Sequence, residues 1–169
     1  MNGHPGGSLH TRRMLELSGL GNGARILDMG AGAGEAVALL RSLGYDAAGI
    51  DLEPRSALVR KGDMLFTGFE SGSFVAILSQ CDFTVSGDVP GDLREAKRLL
   101  RPGGSLMLSD VFFEEPAELI EQAGLTLICR EDITAQWREY YLEALWRGDA
   151  DCRLGRGKCG YWLLIGKKE

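Results

Sequence analysis

Three glycines alternate with small residues directly after a short apolar run near the start of the chain. The run ends in Leu27, and the glycines are Gly30, Gly32 and Gly34. Because glycine lacks a Cβ and accepts positive φ, such a turn lets a ligand come close to the backbone. A helical pattern begins at Glu35, so the stretch predicts a strand, a glycine loop and a helix N-terminus. Together these form a corner of the kind that binds nucleotides.

Asp28 and Glu35 indicate which ligand this corner suits. The dinucleotide fingerprint G-x-G-x-x-G/A requires Gly or Ala at its third position, and counted from Gly30 that position is Glu35. The Asp28 carboxylate would also repel a pyrophosphate. It suits a ligand with positive charge and no phosphate, and S-adenosylmethionine (SAM), with its α-ammonium and sulfonium, is such a ligand. An NAD-linked oxidoreductase is therefore disfavoured.

Polar residues also follow the second and third predicted strands. Asp51 ends the second strand and is followed by Leu52, and its carboxylate can accept hydrogen bonds from both hydroxyls of a ribose. The third strand ends near Asp63 and Met64. The Asp63 carboxylate could accept a hydrogen bond from an adenine amino group, while Met64 packs on the adenine ring. Because ligands of open α/β sheets bind at the carboxyl ends of the strands, we expect these residues to share one crevice.

The fourth predicted strand, residues 74–78, is a continuous apolar run of the kind that is buried on both faces of a sheet. It leads into Ser79 and Gln80, which we predict to meet the methionine moiety. The predicted cofactor-binding residues are Asp28, Gly30, Ala31, Gly32, Gly34, Asp51, Leu52, Asp63, Met64, Ser79 and Gln80.

Strands and helices alternate along the chain, which implies an α/β fold with a mostly parallel, doubly wound sheet. Only residues 67–73 separate the third strand from the fourth, so the third crossover helix is predicted to be reduced to a turn. Helices are predicted at 8–18, 35–43, 54–60, 92–100, 115–123 and 133–146, and the other strands at 46–51, 61–66, 105–111, 125–129 and 161–165.

Composition excludes several classes of function. The 169 residues carry a net charge of −5, and 44% of them are hydrophobic, so we expect one globular domain over residues 1–169. The chain lacks a Lys/Arg run of the kind that binds nucleic acid, and no apolar run approaches the roughly 20 residues of a membrane span. Residues 1–7 have no apolar segment of the signal-peptide type, so we expect a cytoplasmic protein.

The four cysteines do not form a C-x-x-C pair. Cys81 and Cys129 lie in apolar runs, where reduced, buried cysteine is the expected state. Cys152 and Cys159 fall in a polar loop, either as unpaired thiols or as a redox or metal-binding pair. No metal site is predicted.

The motif D-x-G-x-G-x-G at Asp28, together with residues 20–130, resembles the class I SAM-dependent methyltransferases. The helix–PGG–strand pattern at residues 98–106 is similar to the branch that makes ubiquinone and menaquinone. The resemblance implies a seven-stranded Rossmann-like sheet of order 3-2-1-4-5-7-6 with strand 7 antiparallel. It also implies SAM as cofactor and methyl transfer as the activity.

The acceptor and its catalytic residues are less defined. Residues 1–19, an N-terminal arm and helix, and the 133–158 segment are the predicted covers of the acceptor site. His4, His10, Gln80 and Tyr140 are candidates for catalysis, although surface histidines and core aromatic residues are the alternative interpretation. No D/N-P-P-Y/F stretch follows the fourth strand, so the usual signature of amino-group methylation of DNA bases is missing. The resemblance to the quinone-biosynthesis branch implies a small-molecule acceptor.

Two questions stay open in the sequence. A non-catalytic SAM-binding sensor or partner subunit is the alternative function, because no base is evident. The helix at residues 133–147 could be a lid or a dimer interface, so both a monomer and a homodimer are compatible with the sequence.

Overall fold

A computed structural model of the chain describes residues 6–148 and 159–169. Within these residues, seven strands form one sheet of order β3-β2-β1-β4-β5-β7-β6, which confirms the expected order. Neighbouring strands are parallel except at β7, which runs antiparallel to both β5 and β6. The strands are β1 Arg25–Met29, β2 Asp46–Asp51, β3 Val59–Lys61, β4 Phe74–Gln80, β5 Leu100–Phe112, β6 Thr126–Asp132 and β7 Gly160–Lys167.

Helices cover both faces of this sheet, as the alternating pattern predicts. One face packs against residues of α3, α4 and α5, and the other against residues of α1, α2 and α6. Ile77 and Leu78 of β4 belong to opposite core clusters and are both fully buried, which confirms a strand covered on both sides. The helices are α1 Gly7–Ser18, α2 Glu35–Ser42, α3 Phe83–Ser86, α4 Val89–Leu99, α5 Ala117–Gln122 and α6 Thr134–Trp146.

The helix predicted at residues 54–60 does not form. The chain from Leu52 to Leu58 is irregular, and β3 begins at Val59 rather than at Lys61. The Asp51 carboxylate accepts from the backbone N–H of Glu53 at 2.8 Å, and the backbone N–H of Arg55 donates to the carbonyl of Gly32 at 3.0 Å. The first bond is local and offers the backbone an alternative to the helix ladder, and the second fixes the segment to the glycine loop.

The third crossover is a loop over residues 62–73, as the short spacing predicts. Glu95 on α4 holds it, because its carboxylate accepts from the backbone N–H of Thr67 at 3.1 Å and from the Thr67 hydroxyl at 2.7 Å. Arg98 donates to Glu95 and to the carbonyl of Phe69, both at 2.7–2.8 Å. The Phe69 ring packs edge-on against Phe74 with centroids 5.0 Å apart. Buried polar and aromatic contacts therefore replace a helix.

Candidate active site

The glycine loop lies between β1 and α2 and is fixed to the end of β2. Gly30, Gly32 and Gly34 have φ values of 84°, 50° and 79°, in the left-handed region that favours glycine. The backbone N–H groups of Gly30 and Ala31 both donate to the carbonyl of Ile50, at 3.0 and 2.9 Å. The loop and the end of β2 therefore form one rigid corner.

Asp51 lies at the carboxyl end of β2, where the sequence predicts a ribose-binding carboxylate. Its Oδ2 atom accepts from the backbone N–H of Gly32 at 2.8 Å, while Oδ1 accepts from Glu53. Each carboxylate oxygen keeps a second lone pair for a ligand. Leu52 follows with its side chain 57% exposed, so it is open to contact a ligand.

Asp28 is buried at the carboxyl end of β1, with only 4% of its surface exposed. Burial, followed by the nearby charge of Asp51, raises the pKa of the Asp28 carboxyl to about 7. Among the described residues, no hydrogen-bond donor reaches this carboxylate. A cation placed beside it would favour the ionised form, so the position suits a positively charged ligand.

Asp63 and Met64 follow β3 at the same edge of the sheet. The Asp63 carboxylate accepts from the backbone N–H of Leu65 at 2.9 Å, and the residue is half-buried. Met64 is 9% exposed and belongs to the core cluster that includes Ile50 and Phe83. Their roles toward an adenine ring stay predictions.

Ser79 and Gln80 end β4, and both are buried. The Ser79 hydroxyl has no hydrogen-bond partner within the described part of the chain. The Gln80 side-chain carbonyl accepts from the hydroxyl of Thr11 on α1 at 2.9 Å. The N-terminal helix thus lies against the carboxyl end of β4.

Aromatic side chains of α6 and β7 lie on the same face as α1. Trp137 is stacked with Tyr161 at 6.2 Å between centroids and with Tyr141 at 5.6 Å, and Trp137 is 7% exposed. The ring of His10 lies 6.4 Å from that of Tyr161. Because Tyr161 pairs with Val111 near the carboxyl end of β5, α1 and α6 both contact residues at that edge of the sheet.

Of the two other candidates for catalysis, the structure describes one. Tyr140 is half-buried on α6. His4 lies outside the described residues.

Two acidic residues at this edge are absent from the predicted set. Asp110 on β5 is 1% exposed and accepts hydrogen bonds from the backbone N–H and hydroxyl of Thr84, at 3.1 and 2.5 Å. Burial raises the pKa of Asp110 despite these bonds. Asp82 follows β4, and burial together with the charge of Asp28 raises its pKa to about 8. The sequence signal that could have found Asp82 and Asp110 is an acidic residue near the carboxyl end of each of two further strands.

Three of the four cysteines lie among the described residues. The Cys81 Sγ lies 2.9 Å from the Tyr161 hydroxyl, and burial raises the pKa of this thiol to about 12. Cys129 and Cys159 are free and half-buried. Cys152 lies outside the described residues, so neither alternative for Cys152 and Cys159 is tested.

Neither a metal-ligand cluster nor a membrane-spanning helix occurs within residues 6–148 and 159–169. No cluster of three or more His, Cys, Asp or Glu side chains with metal-binding geometry occurs in these ranges. None of the described helices is long and apolar enough to cross a membrane.

Comparison with known proteins identifies the central part of the chain. Residues 27–108 match the family model described as "Methyltransferase domain". An arsenite methyltransferase of Aquipseudomonas alcaligenes is 31% identical over 116 residues, covering 54% of this chain and 34% of that protein. A demethylmenaquinone methyltransferase of Tropheryma whipplei is 28% identical over 127 residues, covering 66% of this chain and 51% of that protein. The chain thus spans about a third to a half of the length of these relatives.

Solved structures share the fold over nearly the whole chain. Phosphoethanolamine N-methyltransferase 2 of Haemonchus contortus, in complex with SAM, superposes with a TM-score of 0.77 at 18% identity. The match covers 98% of this chain and 53% of that one. Residues 27–108 therefore match a methyltransferase domain, and the chain around them has the fold of that SAM-bound enzyme.

Proposed function

We propose that this chain transfers a methyl group from SAM to a small-molecule acceptor. One observation carries the proposal most directly: the buried Asp28 carboxyl lies within range of the charge of Asp51, and Asp51 is hydrogen-bonded to Gly32 of the glycine loop. This arrangement offers a cation a negative environment next to a carboxylate of the kind that holds a ribose.

The residues at this edge fit the chemistry of SAM. Gly30 and Gly32 form a cradle that a side chain would fill, because a Cβ on either would overlap a neighbouring side chain. Asp28 would face the positive charge of the methionine end, and Asp51 would hold the ribose hydroxyls. Asp63 would accept from the adenine amino group. Leu52, Met64 and the Ser79–Gln80 end of β4 complete the proposed binding set.

SAM supplies, when bound, a methyl group that its sulfonium has already activated. The tasks left to the chain are to orient the acceptor and to exclude water from the site. The paired carboxylates and the fixed loop define one side of the crevice. On the other side, Thr11 of α1 holds Gln80, and Trp137 of α6 packs on Tyr161.

The acceptor site is proposed to lie beneath α1 and α6. Trp137 stacks with Tyr141, and the rings of Trp137 and His10 both lie near the ring of Tyr161. His10 and Gln80 would contact a polar group of the acceptor. His10, Gln80 and Tyr140 remain the candidates to take a proton, a step needed only where the acceptor must lose one. The relatives' names set the first acceptors to test, which are arsenite, demethylmenaquinone and phosphoethanolamine.

A radiolabel transfer assay tests the proposal. Purified chain would be incubated with methyl-labelled SAM and each acceptor, with the Asp51→Ala variant as the control for specific transfer. Label transfer that occurs with the wild type and is lost in Asp51→Ala supports methyltransferase activity. SAM binding by the wild type with no transfer to any acceptor of a broad panel would instead favour a non-catalytic SAM-binding protein.

A further inference from the structure

Asp82 lies at the centre of the proposed site but has no role in the predicted set. It follows the last residue of β4 by two positions, and its carboxyl packs against the first glycine of the loop. A Cβ added to Gly30 would overlap the Asp82 carboxyl. Asp82 therefore lies directly against the glycine loop.

An unusual backbone turn directs Asp82 to this position. Cys81 has φ of 66°, and among the described residues it is the single non-glycine residue with positive φ. Such a conformation is costly and persists where its surroundings fix it. Here the Cys81 N–H donates to the carbonyl of Ser109 at 2.8 Å, and the Cys81 Sγ contacts the Tyr161 hydroxyl at 2.9 Å. Two neighbouring strands thus hold the turn that brings Asp82 onto the loop.

The charges that face Asp82 are mostly negative. Asp28 of β1, Asp51 of β2 and Asp110 of β5 each raise its pKa, after burial as the largest cause. Arg55, whose guanidinium packs on Gly32, is the cation that lowers it. Four carboxyl groups and one exposed arginine therefore surround the crevice, and the local charge favours a cationic ligand.

Two of these carboxylates also lack hydrogen-bond donors. Within the described part of the chain, no N–H or O–H group donates to the carboxylate of Asp28 or to that of Asp82. Asp28 is more than nine-tenths buried, and buried charged groups are ordinarily paired. A bound cation would provide the pairing that the chain does not.

We propose that Asp82 binds the positively charged methionine end of SAM and makes the site selective for that charge. The inference rests on the proposed function, because it assigns a residue to the same cofactor. Asp82 would act beside Asp28, with its carboxylate directed across Gly30 by the turn at Cys81.

Isothermal titration calorimetry on the full chain tests this assignment with two ligands that differ at the methionine end. SAM carries the sulfonium and the ammonium, whereas 5′-methylthioadenosine keeps the adenosine and a neutral sulfur. In Asp82→Asn we expect SAM to bind about tenfold more weakly or worse, since bonds to charged groups contribute about 1.5–3 kcal/mol. Binding of 5′-methylthioadenosine should stay within about twofold.

The matched control is Asp46→Asn, which removes an exposed carboxylate from the opposite end of β2. This variant should leave the affinities for SAM and for 5′-methylthioadenosine unchanged. S-adenosylhomocysteine distinguishes the two positively charged groups of SAM, because it keeps the ammonium but not the sulfonium. Equal weakening of SAM and S-adenosylhomocysteine by Asp82→Asn would assign the ammonium to Asp82, and selective weakening of SAM would assign the sulfonium.

A second measurement uses the wild type alone and does not depend on how the variant folds. Affinity for SAM should rise as pH increases through the pKa of Asp82, about 8, because the ionised carboxylate is the form that binds a cation. Binding of 5′-methylthioadenosine should not follow this profile.

Two failures are distinguishable. If the wild type binds SAM but Asp82→Asn binds SAM equally well, or loses as much affinity for 5′-methylthioadenosine as for SAM, the assignment is overturned and the proposed function stands. Wild type that binds neither SAM nor S-adenosylhomocysteine would overturn both.

Discussion

The Oδ2 atom of Asp51 accepts a hydrogen bond from the backbone N–H of Gly32 at a donor–acceptor distance of 2.8 Å. This bond joins the end of β2 to the middle of the glycine loop. Glu53 donates to the other carboxylate oxygen, so both oxygens are oriented before any ligand arrives. The carboxylate that we assign to the ribose is therefore held in place by the loop assigned to the rest of the cofactor.

Replacing Asp51 with alanine should weaken the binding of SAM and of S-adenosylhomocysteine by about tenfold or more. The variant loses a charged hydrogen-bond acceptor, and the glycine loop loses its bond to β2. Calorimetry on both ligands measures the effect. Asp46→Ala is the matched control at the exposed, opposite end of the same strand, and it should bind as the wild type does. Equal affinity of Asp51→Ala and wild type would contradict the assignment.

Gly30→Ala should abolish measurable binding, because the new Cβ would overlap the Asp82 carboxyl in the proposed crevice. Gly44→Ala is a close control: φ is 88° at Gly44 and 84° at Gly30, but nothing lies within 4 Å of a Cβ at Gly44. Each variant should lose roughly 1–2 kcal/mol of stability from the left-handed backbone. Calorimetry separates the two sites, and a Gly44→Ala variant that also loses binding would show that strain alone explains the effect.

Stability of the ligand-free protein should fall as pH rises from about 4 to about 8. Folding raises the pKa of Asp28 to about 7 and that of Asp82 to about 8, so the folded chain holds protons that the unfolded chain releases. Their contribution is present at acid pH and is lost as pH rises through these values. Thermal unfolding at a series of pH values measures the slope.

Asp28→Asn provides the check on this slope, because a neutral amide has no proton to lose. The fall in melting temperature with pH should be smaller in the variant than in the wild type. A variant with an unchanged slope would mean that Asp28 does not titrate in this range.

Glu95→Gln should destabilise the fold by about 1–3 kcal/mol, because the buried carboxylate loses its charged bonds to Arg98 and accepts less strongly from Thr67. Arg98 and Thr67 also hold down the pKa of Glu95, which marks its ionised form as the favoured one. Urea unfolding measures the change. Glu118→Gln, an exposed position on α5, should stay within about 0.5 kcal/mol of the wild type, and an equal loss there would contradict a specific role for Glu95.

Strand and helix alternation was enough to predict the sheet and its two covered faces. The apolar run at residues 74–78 indicates a strand buried on both sides, and the structure confirms this at Ile77 and Leu78. The order of the strands came from the family resemblance, since parallel strands with similar apolar patterns leave their neighbours undetermined.

Tertiary contacts explain what the sequence could not predict. The segment at residues 54–60 has a Pro near its start and reads as a helix, but Asp51 and Gly32 hold its backbone in another conformation. Asp82 joins the site because Cys81 adopts positive φ, and no local pattern indicates that for a cysteine. Both features depend on hydrogen bonds between residues distant in the chain.

Calorimetric titration of the wild-type chain with S-adenosylhomocysteine tests the central claim most directly, because this ligand binds without any acceptor or turnover. We predict saturable binding in the micromolar range, weakened by about tenfold or more in Asp51→Ala. Absence of binding at millimolar ligand in both proteins would mean that the glycine corner does not hold this cofactor, and it would contradict the proposed function.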